Sequence, residues 1–127
     1  MINADNANSL DARTRAIRAL NDRFRQTFNG GRVVATADIM ALDDAARQRL
    51  FNAVQAFDDF GGGNDPVLAE PSNAWTGEHD FGSLDVEGET IFFKIDYLAP
   101  GSSMHSEDPA DPAKTERVMT IMLASEY

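Results

Sequence analysis

The stretch EHDFGSLDVEGETIFFKIDY, residues 78–97, abandons the helical spacing of the earlier chain for strict alternation. Ile91, Phe93, Ile95 and Tyr97 alternate with Phe92, Lys94 and Asp96, the period-two pattern of a strand with one buried face. Glu87-Gly88 sits between this run and a shorter one, so Glu78–Val86 and Glu89–Tyr97 are predicted to form an antiparallel hairpin on a two-residue turn. Facing positions then sum to 175, which sets His79 opposite Asp96 and Phe81 opposite Lys94 on the half-polar face.

Toward the N-terminus the period is helical. Ser9 or Asp11 caps a predicted helix that runs to about Phe28, with Ile17, Leu20, Phe24 and Phe28 as its apolar stripe. Arg15, Arg18 and Arg25 fall on the opposite face with Asp22 between them, a solvated face with local ion pairs or a docking surface. Asn29, Gly30 and Gly31 end this helix, and Arg32–Ala37 reads as a short edge strand. Asp43 caps a second predicted helix to about Asp58, with Ala46, Leu50, Ala53, Val54 and Phe57 on one stripe and Phe51 off it.

Two long loops are expected, 61–76 and 99–114. The first holds three consecutive glycines and two prolines, but no Lys-Ser/Thr pair follows and no phosphate loop is indicated. Residues 117–125 are apolar on both faces, as in a central strand buried on both sides. A helix is the rival, because Asp111 with Pro112 behind it is a good helix start. A short helical turn followed by a strand reconciles the two.

The expected fold is therefore α+β: two helices packed on one face of a mostly antiparallel sheet of three or four strands. It forms a single domain over residues 1–127 with a polar tail at 1–10. Its predicted core is Ile17, Leu20, Phe24, Leu50, Val54, Phe57, Ile91, Phe93, Ile95, Val118, Ile121 and Leu123.

Composition bounds the chemistry. The 127 residues are 43% hydrophobic and 25% charged, ordinary values for a chain that folds on its own core. Without cysteine there is no disulfide, no thiolate zinc site and no cysteine nucleophile. No apolar run approaches a membrane span and no secretory h-region is present, so a cytoplasmic location and no membrane contact are expected. The net charge of −10 is uneven: residues 1–50 carry eight Lys/Arg against six Asp/Glu, a net +2, and residues 51–127 carry three against fifteen, a net −12. Such a field repels nucleic acid and attracts basic protein surfaces, or serves solubility alone.

The blocks Gly77–Gly82 (GEHDFG), Phe93–Tyr97 (FKIDY), Asp108–Pro112 (DPADP) and the ending RVMTIMLASEY from Arg117 resemble a small domain-of-unknown-function family of Alphaproteobacteria and their plasmids, domain of unknown function 3768. The likeness runs from near Ile17 to the C-terminus. Two departures stand out: Val67–Thr76 looks like an insertion, and Leu98-Ala99 replaces an expected Tyr-Asp pair. The family's setting on mobile elements implies an anti-defence or plasmid-maintenance role.

Three sets of residues are candidates for function. His79, Asp80, Lys94 and Asp96 gather an imidazole, two carboxylates and an ammonium near the hairpin. They suit a base with its orienting group, or a metal-assisted hydrolase on His79, Asp80 and Asp96 with a further ligand from Glu78, His105 or Glu107. Asp80, Asp85, Glu87, Glu89, Phe92 and Asp96 make an acidic, aromatic-bearing surface for a basic protein partner, with the 61–76 loop at its edge and Trp75 as a further exposed aromatic. A surface pair is the plain alternative for His79 and Asp96. No resident metal and no cofactor are expected. The favoured function is a non-enzymatic accessory protein that binds another macromolecule by acidic mimicry of nucleic acid, without touching nucleic acid itself.

Overall fold

The computed structural model describes residues 11–60 and 77–127. The polar tail 1–10, the 61–76 loop, the Val67–Thr76 insertion and Trp75 lie outside the described residues. Helix α1 (Ala12–Thr27) starts at Asp11, whose carboxylate accepts from the Thr14 amide at 2.7 Å. That bond holds the Asp11 carboxyl below its ordinary value. The left-handed cap falls on Phe28 (φ 59°), ahead of the expected Asn29 and glycines, and its N–H reaches Phe24 O at 2.7 Å. Strand β1 (Gly31–Ala35) follows. Next comes a single turn, α2 (Ala37–Met40), which the apolar pattern did not announce because four residues hold no period. Helix α3 (Asp44–Ala56) begins where Asp43 accepts from the Ala46 amide at 2.7 Å.

Strands β2 (Phe81–Val86), β3 (Glu89–Leu98) and β4 (Glu116–Leu123) complete a four-stranded sheet of order β1-β4-β3-β2. Its β2/β3 and β3/β4 pairs are antiparallel and β1/β4 is parallel. The hairpin register matches the expectation, with Phe81 opposite Lys94 and Val86 opposite Glu89. Glu87 and Gly88 both take positive φ, 57° and 80°, as a tight two-residue hairpin turn demands. The start foreseen at Asp111-Pro112 is a 3₁₀ turn (Pro112–Lys114), capped by Asp111 accepting from the Ala113 amide at 2.9 Å. It leads into a strand, not a helix.

Ile91, Phe93, Ile95 and Tyr97 of β3 face Met119 and Ile121 of β4, and with Ile17, Phe24, Ile39, Leu50, Val54 and Phe57 they form one buried cluster. All the sheet members are alternate residues on one face, so the helices cover that face. Ten of the twelve expected core residues are buried; Leu20 and Leu123 are half-buried. Tyr97 takes the place on the buried face that its alternation with Phe92, Lys94 and Asp96 gave it, and Ile39 and Met119 join the expected core residues. Val118 and Met122 are buried on the second face, which makes β4 the central strand covered on both sides that its composition predicts.

Gly82 permits the closest approach in this core. A Cβ there would stand 2.8 Å from the Phe57 ring and closer still to the Phe93 ring. Gly82→Ala is therefore expected to cost about 1–3 kcal/mol of overpacking in urea denaturation.

Candidate functional site

Positions 18, 22 and 25 are spaced by four and three residues, so Arg18, Asp22 and Arg25 share one stripe of α1. That stripe faces the hairpin base and not solvent. Arg18 Nε donates to Gly77 O at 2.7 Å. Arg25, expected on an exposed face, is 2% exposed. Its guanidinium lies 5.0 Å from the Phe60 ring and 5.9 Å from the Phe93 ring, and its Nη1 donates to Asp22 Oδ1 at 2.9 Å. Arg25 Nε is buried with no hydrogen-bond acceptor, and the neighbouring π faces are its compensation.

His79 completes this cluster and leaves the place assigned to it opposite Asp96. Pairing continues as far as Ile95 N to Asp80 O at 2.8 Å, and His79 then takes φ 58°, which turns the chain out of the sheet. The ring stacks on Phe60, with centroids 3.8 Å apart and planes 3° from parallel. Its Nδ1 lies 2.8 Å from Asp22 Oδ1. Burial pushes the Asp22 carboxyl up, but the hydrogen bonds and charges of His79 and Arg25 outweigh it and hold the group below its ordinary value. Asp22 is thus a carboxylate that only accepts, and His79 carries its proton on Nδ1. One oxygen serves both donors.

Beside this cluster lies a polar network centred on buried Asn21, Tyr97 and Arg117, with half-buried Glu78 at its edge. Asn21 Nδ2 donates to Tyr97 OH at 2.7 Å and to Glu78 O at 3.0 Å, and Asn21 Oδ1 accepts from Arg117 Nε at 2.7 Å. Tyr97 OH donates in turn to Glu78 Oε1 at 2.7 Å, and Arg117 Nη2 donates to Pro109 O at 2.6 Å. Burial, the charge of Asp80 and the Glu78 bond raise the Tyr97 phenol far above its ordinary value, so it stays a donor. Burial lowers Arg117, against the opposing pull of Tyr97 and Glu78.

The other expected site residues divide. Asp80 and Asp96 line one hollow of about 450 Å³, together with Leu98, Ser103, His105 and Val118. Asp96 also pairs with Lys94 at 3.4 Å. His79 is held by Asp22 and not by Asp96, and no group of three His, Asp or Glu among the described residues is placed to hold a metal ion. Asp85, Phe92, Lys94 and Asp96 share the sheet face away from the helices by strand alternation. Glu89 alternates to the helix side, and Glu87 at the turn receives two hydrogen bonds from Arg49, at 2.8 and 2.9 Å, which hold it below its ordinary value. Tyr127, which strand periodicity could not place, packs edge-on against Phe81 at 5.6 Å and Phe92 at 5.5 Å.

Residues 35–126 match the family model described as Protein of unknown function (DUF3768). The chain belongs to this family. The match takes in β2, β3, β4, His79, Asp96 and Arg117, whereas α1 with Asn21, Asp22 and Arg25 precedes it. No curated protein and no solved structure matches the chain. Among the described residues of this family member, no helix is long and apolar enough to cross a membrane.

Asp22→Asn is expected to cost about 2–4 kcal/mol at neutral pH in urea denaturation, because it leaves Arg25 buried without a counter-charge. A carboxyl lowered on folding stabilises above its unfolded pKa and loses that effect as pH falls through its folded pKa. The gap between wild type and Asp22→Asn should therefore be widest near neutrality and shrink as the pH drops below about 4.

Proposed function

We propose that this protein is a non-enzymatic accessory protein that binds a basic protein partner through the sheet face opposite its helices. The observation that carries this reading is a three-ring cluster on that face. Phe81 and Phe92 lie 5.1 Å apart and Tyr127, 72% exposed, closes the triangle. Exposed Asp85 and Asp96 flank the rings, and the helices contribute their core residues to the other face. Aromatic rings with carboxylates beside them suit lysine and arginine side chains, whose stems pack on rings while their heads meet charge.

The net −12 of residues 51–127 supports the same partner chemistry and extends its reach in solution. Acidic mimicry of nucleic acid is the form of binding that this charge favours. An anti-defence or plasmid-maintenance role is the setting that the family's resemblance to plasmid-borne proteins suggests, and a cytoplasmic location fits it. A metal-assisted hydrolase on His79, Asp80 and Asp96 draws no support from the placement of His79 against Asp22.

The test is to capture the partner from the native host and measure its association rate from about 50 to 500 mM salt. The rate is expected to fall as salt rises and to fall further in Asp85→Lys and Asp96→Lys, while Phe92→Ala speeds dissociation. Rates indifferent to salt, to both reversals and to Phe92→Ala would overturn the proposal.

A further inference from the structure

The sheet of order β1-β4-β3-β2 ends in two edge strands, and only β1 is free of acidic side chains. β1 reads Gly31-Arg32-Val33-Val34-Ala35, whereas β2 carries Asp85 and runs into Glu87 and Glu89. Thr36 N donates to Ile121 O at 3.1 Å, which fixes the phase of the parallel ladder. Thr36, and by alternation Val34 and Arg32, turn N–H and C=O toward β4, so Gly31, Val33 and Ala35 turn theirs to the open edge. Among the described residues no hydrogen bond reaches those outward groups. Nothing blunts this edge: its register to β4 is unbroken, it holds no proline, and its one charge, Arg32, is met by Glu116 at 3.8 Å. Val34, 39% exposed, and Met40 at the end of α2, 51% exposed, add apolar surface next to it.

We propose that β1 pairs antiparallel with β1 of a second copy of this chain, joining the two four-stranded sheets into one across a two-fold axis. The outward phase selects the register. Val33 faces Val33 of the second copy on the axis and Gly31 faces its Ala35, with about six main-chain hydrogen bonds between the strands. On the face away from the helices Arg32 then stands opposite Val34 of the second copy and lays its stem along an apolar side chain. Charge selects the occupant. Each copy carries a net −10, so two copies meet best where neither presents a carboxylate. The β1 edge lies across β4 and β3 from β2, and pairing there sets Asp85, Glu87 and Glu89 of the two copies at the far ends of the joined sheet. Five residues a side make a small interface, so the dimer is weak, with a dissociation constant on the order of 0.1 mM. The rings Phe81 and Phe92 belong to the other two strands and stay open to the basic partner proposed above.

Sedimentation equilibrium of the full chain from about 10 μM to 1 mM, in about 0.1 and 0.5 M salt, reads the oligomeric state. A monomer–dimer equilibrium is expected that tightens as salt screens the two net charges, the opposite of the salt response of the basic partner. In a mixture of isotope-labelled and unlabelled chain, a filtered NOE should join Arg32 Hα to Val34 Hα of the second copy, atoms that lie about 7 Å apart within one strand. Val34→Lys sets an ammonium opposite each Arg32 and should weaken the dimer about fivefold, whereas Val34→Glu sets a carboxylate there and should tighten it by a similar factor. Position 34 is exposed, so both variants should keep the amide shifts of Ile91 and Phe93 in the core. A chain monomeric at 1 mM in both salts, a dimer without the NOE, or one indifferent to both substitutions would each overturn the inference.

Discussion

The side-chain amide of Asn21 ties the first helix to the base of the hairpin and to the two central strands of the sheet. It donates to the Glu78 carbonyl and the Tyr97 hydroxyl and accepts from Arg117, so α1, the hairpin base, β3 and β4 meet at one residue that is 0% exposed. A buried network of this kind is stable only when every member is satisfied, because a single orphaned donor or acceptor costs about 1–3 kcal/mol. Here the network closes. Tyr97 donates a hydrogen bond to Glu78, and Arg117 Nη2 donates to Pro109 O, which anchors the segment after β3 as well. The apolar cluster next to it supplies most of the folding free energy, but it is tolerant of small slides. The amide geometry is not, and it sets how α1 lies across the sheet.

The same strands serve two surfaces with different chemistry. Alternation along β3 sends Ile91, Phe93, Ile95 and Tyr97 to the helices and Phe92, Lys94 and Asp96 to the other side. β4 buries residues on both, Met119 and Ile121 toward the helices and Val118 and Met122 on the other side. The C-terminal 3₁₀ turn (Ala124–Glu126) then brings Tyr127 back over Phe81 and Phe92. The second face therefore owes its aromatic cluster to the chain's last turn rather than to any helix.

The hairpin was legible because its turn is two residues long, and turn length alone fixes register. Both helix starts were legible because Asp11 and Asp43 cap with their own side chains. β4 was legible because a strand buried on both faces cannot alternate. His79 was misplaced because extrapolating a register assumes extended backbone, and nothing in the residue type marks a left-handed turn at that position. Arg25 was misplaced for a related reason. An arginine next to Phe24 looks solvent-facing by composition, and only the aromatic rings brought by Phe60 and Phe93 from distant segments make its burial tolerable. Helical spacing did hold the clue in the stripe Arg18, Asp22 and Arg25. The parallel pairing of β1 with β4 joins segments more than eighty residues apart and left no local trace.

The uneven charge of the two halves is itself a structural feature. Arg13 reaches Asp108, Arg32 reaches Glu116, and Arg49 reaches Glu87, each an arginine of the first fifty residues set against a carboxylate of the remainder. Exposed pairs of this kind contribute little one at a time. Together they bring the basic half against the acidic one and lower the self-repulsion that a net −12 would otherwise impose on residues 51–127. The pairing is selective. It neutralises the turn at Glu87 and leaves Asp85 on the face away from the helices, met there by the Thr90 hydroxyl. Folding thus sets exposed arginines of the first part against carboxylates of the second at three separate places, and the acidity left over, Asp85 and Asp96 with it, is carried on the sheet face opposite the helices.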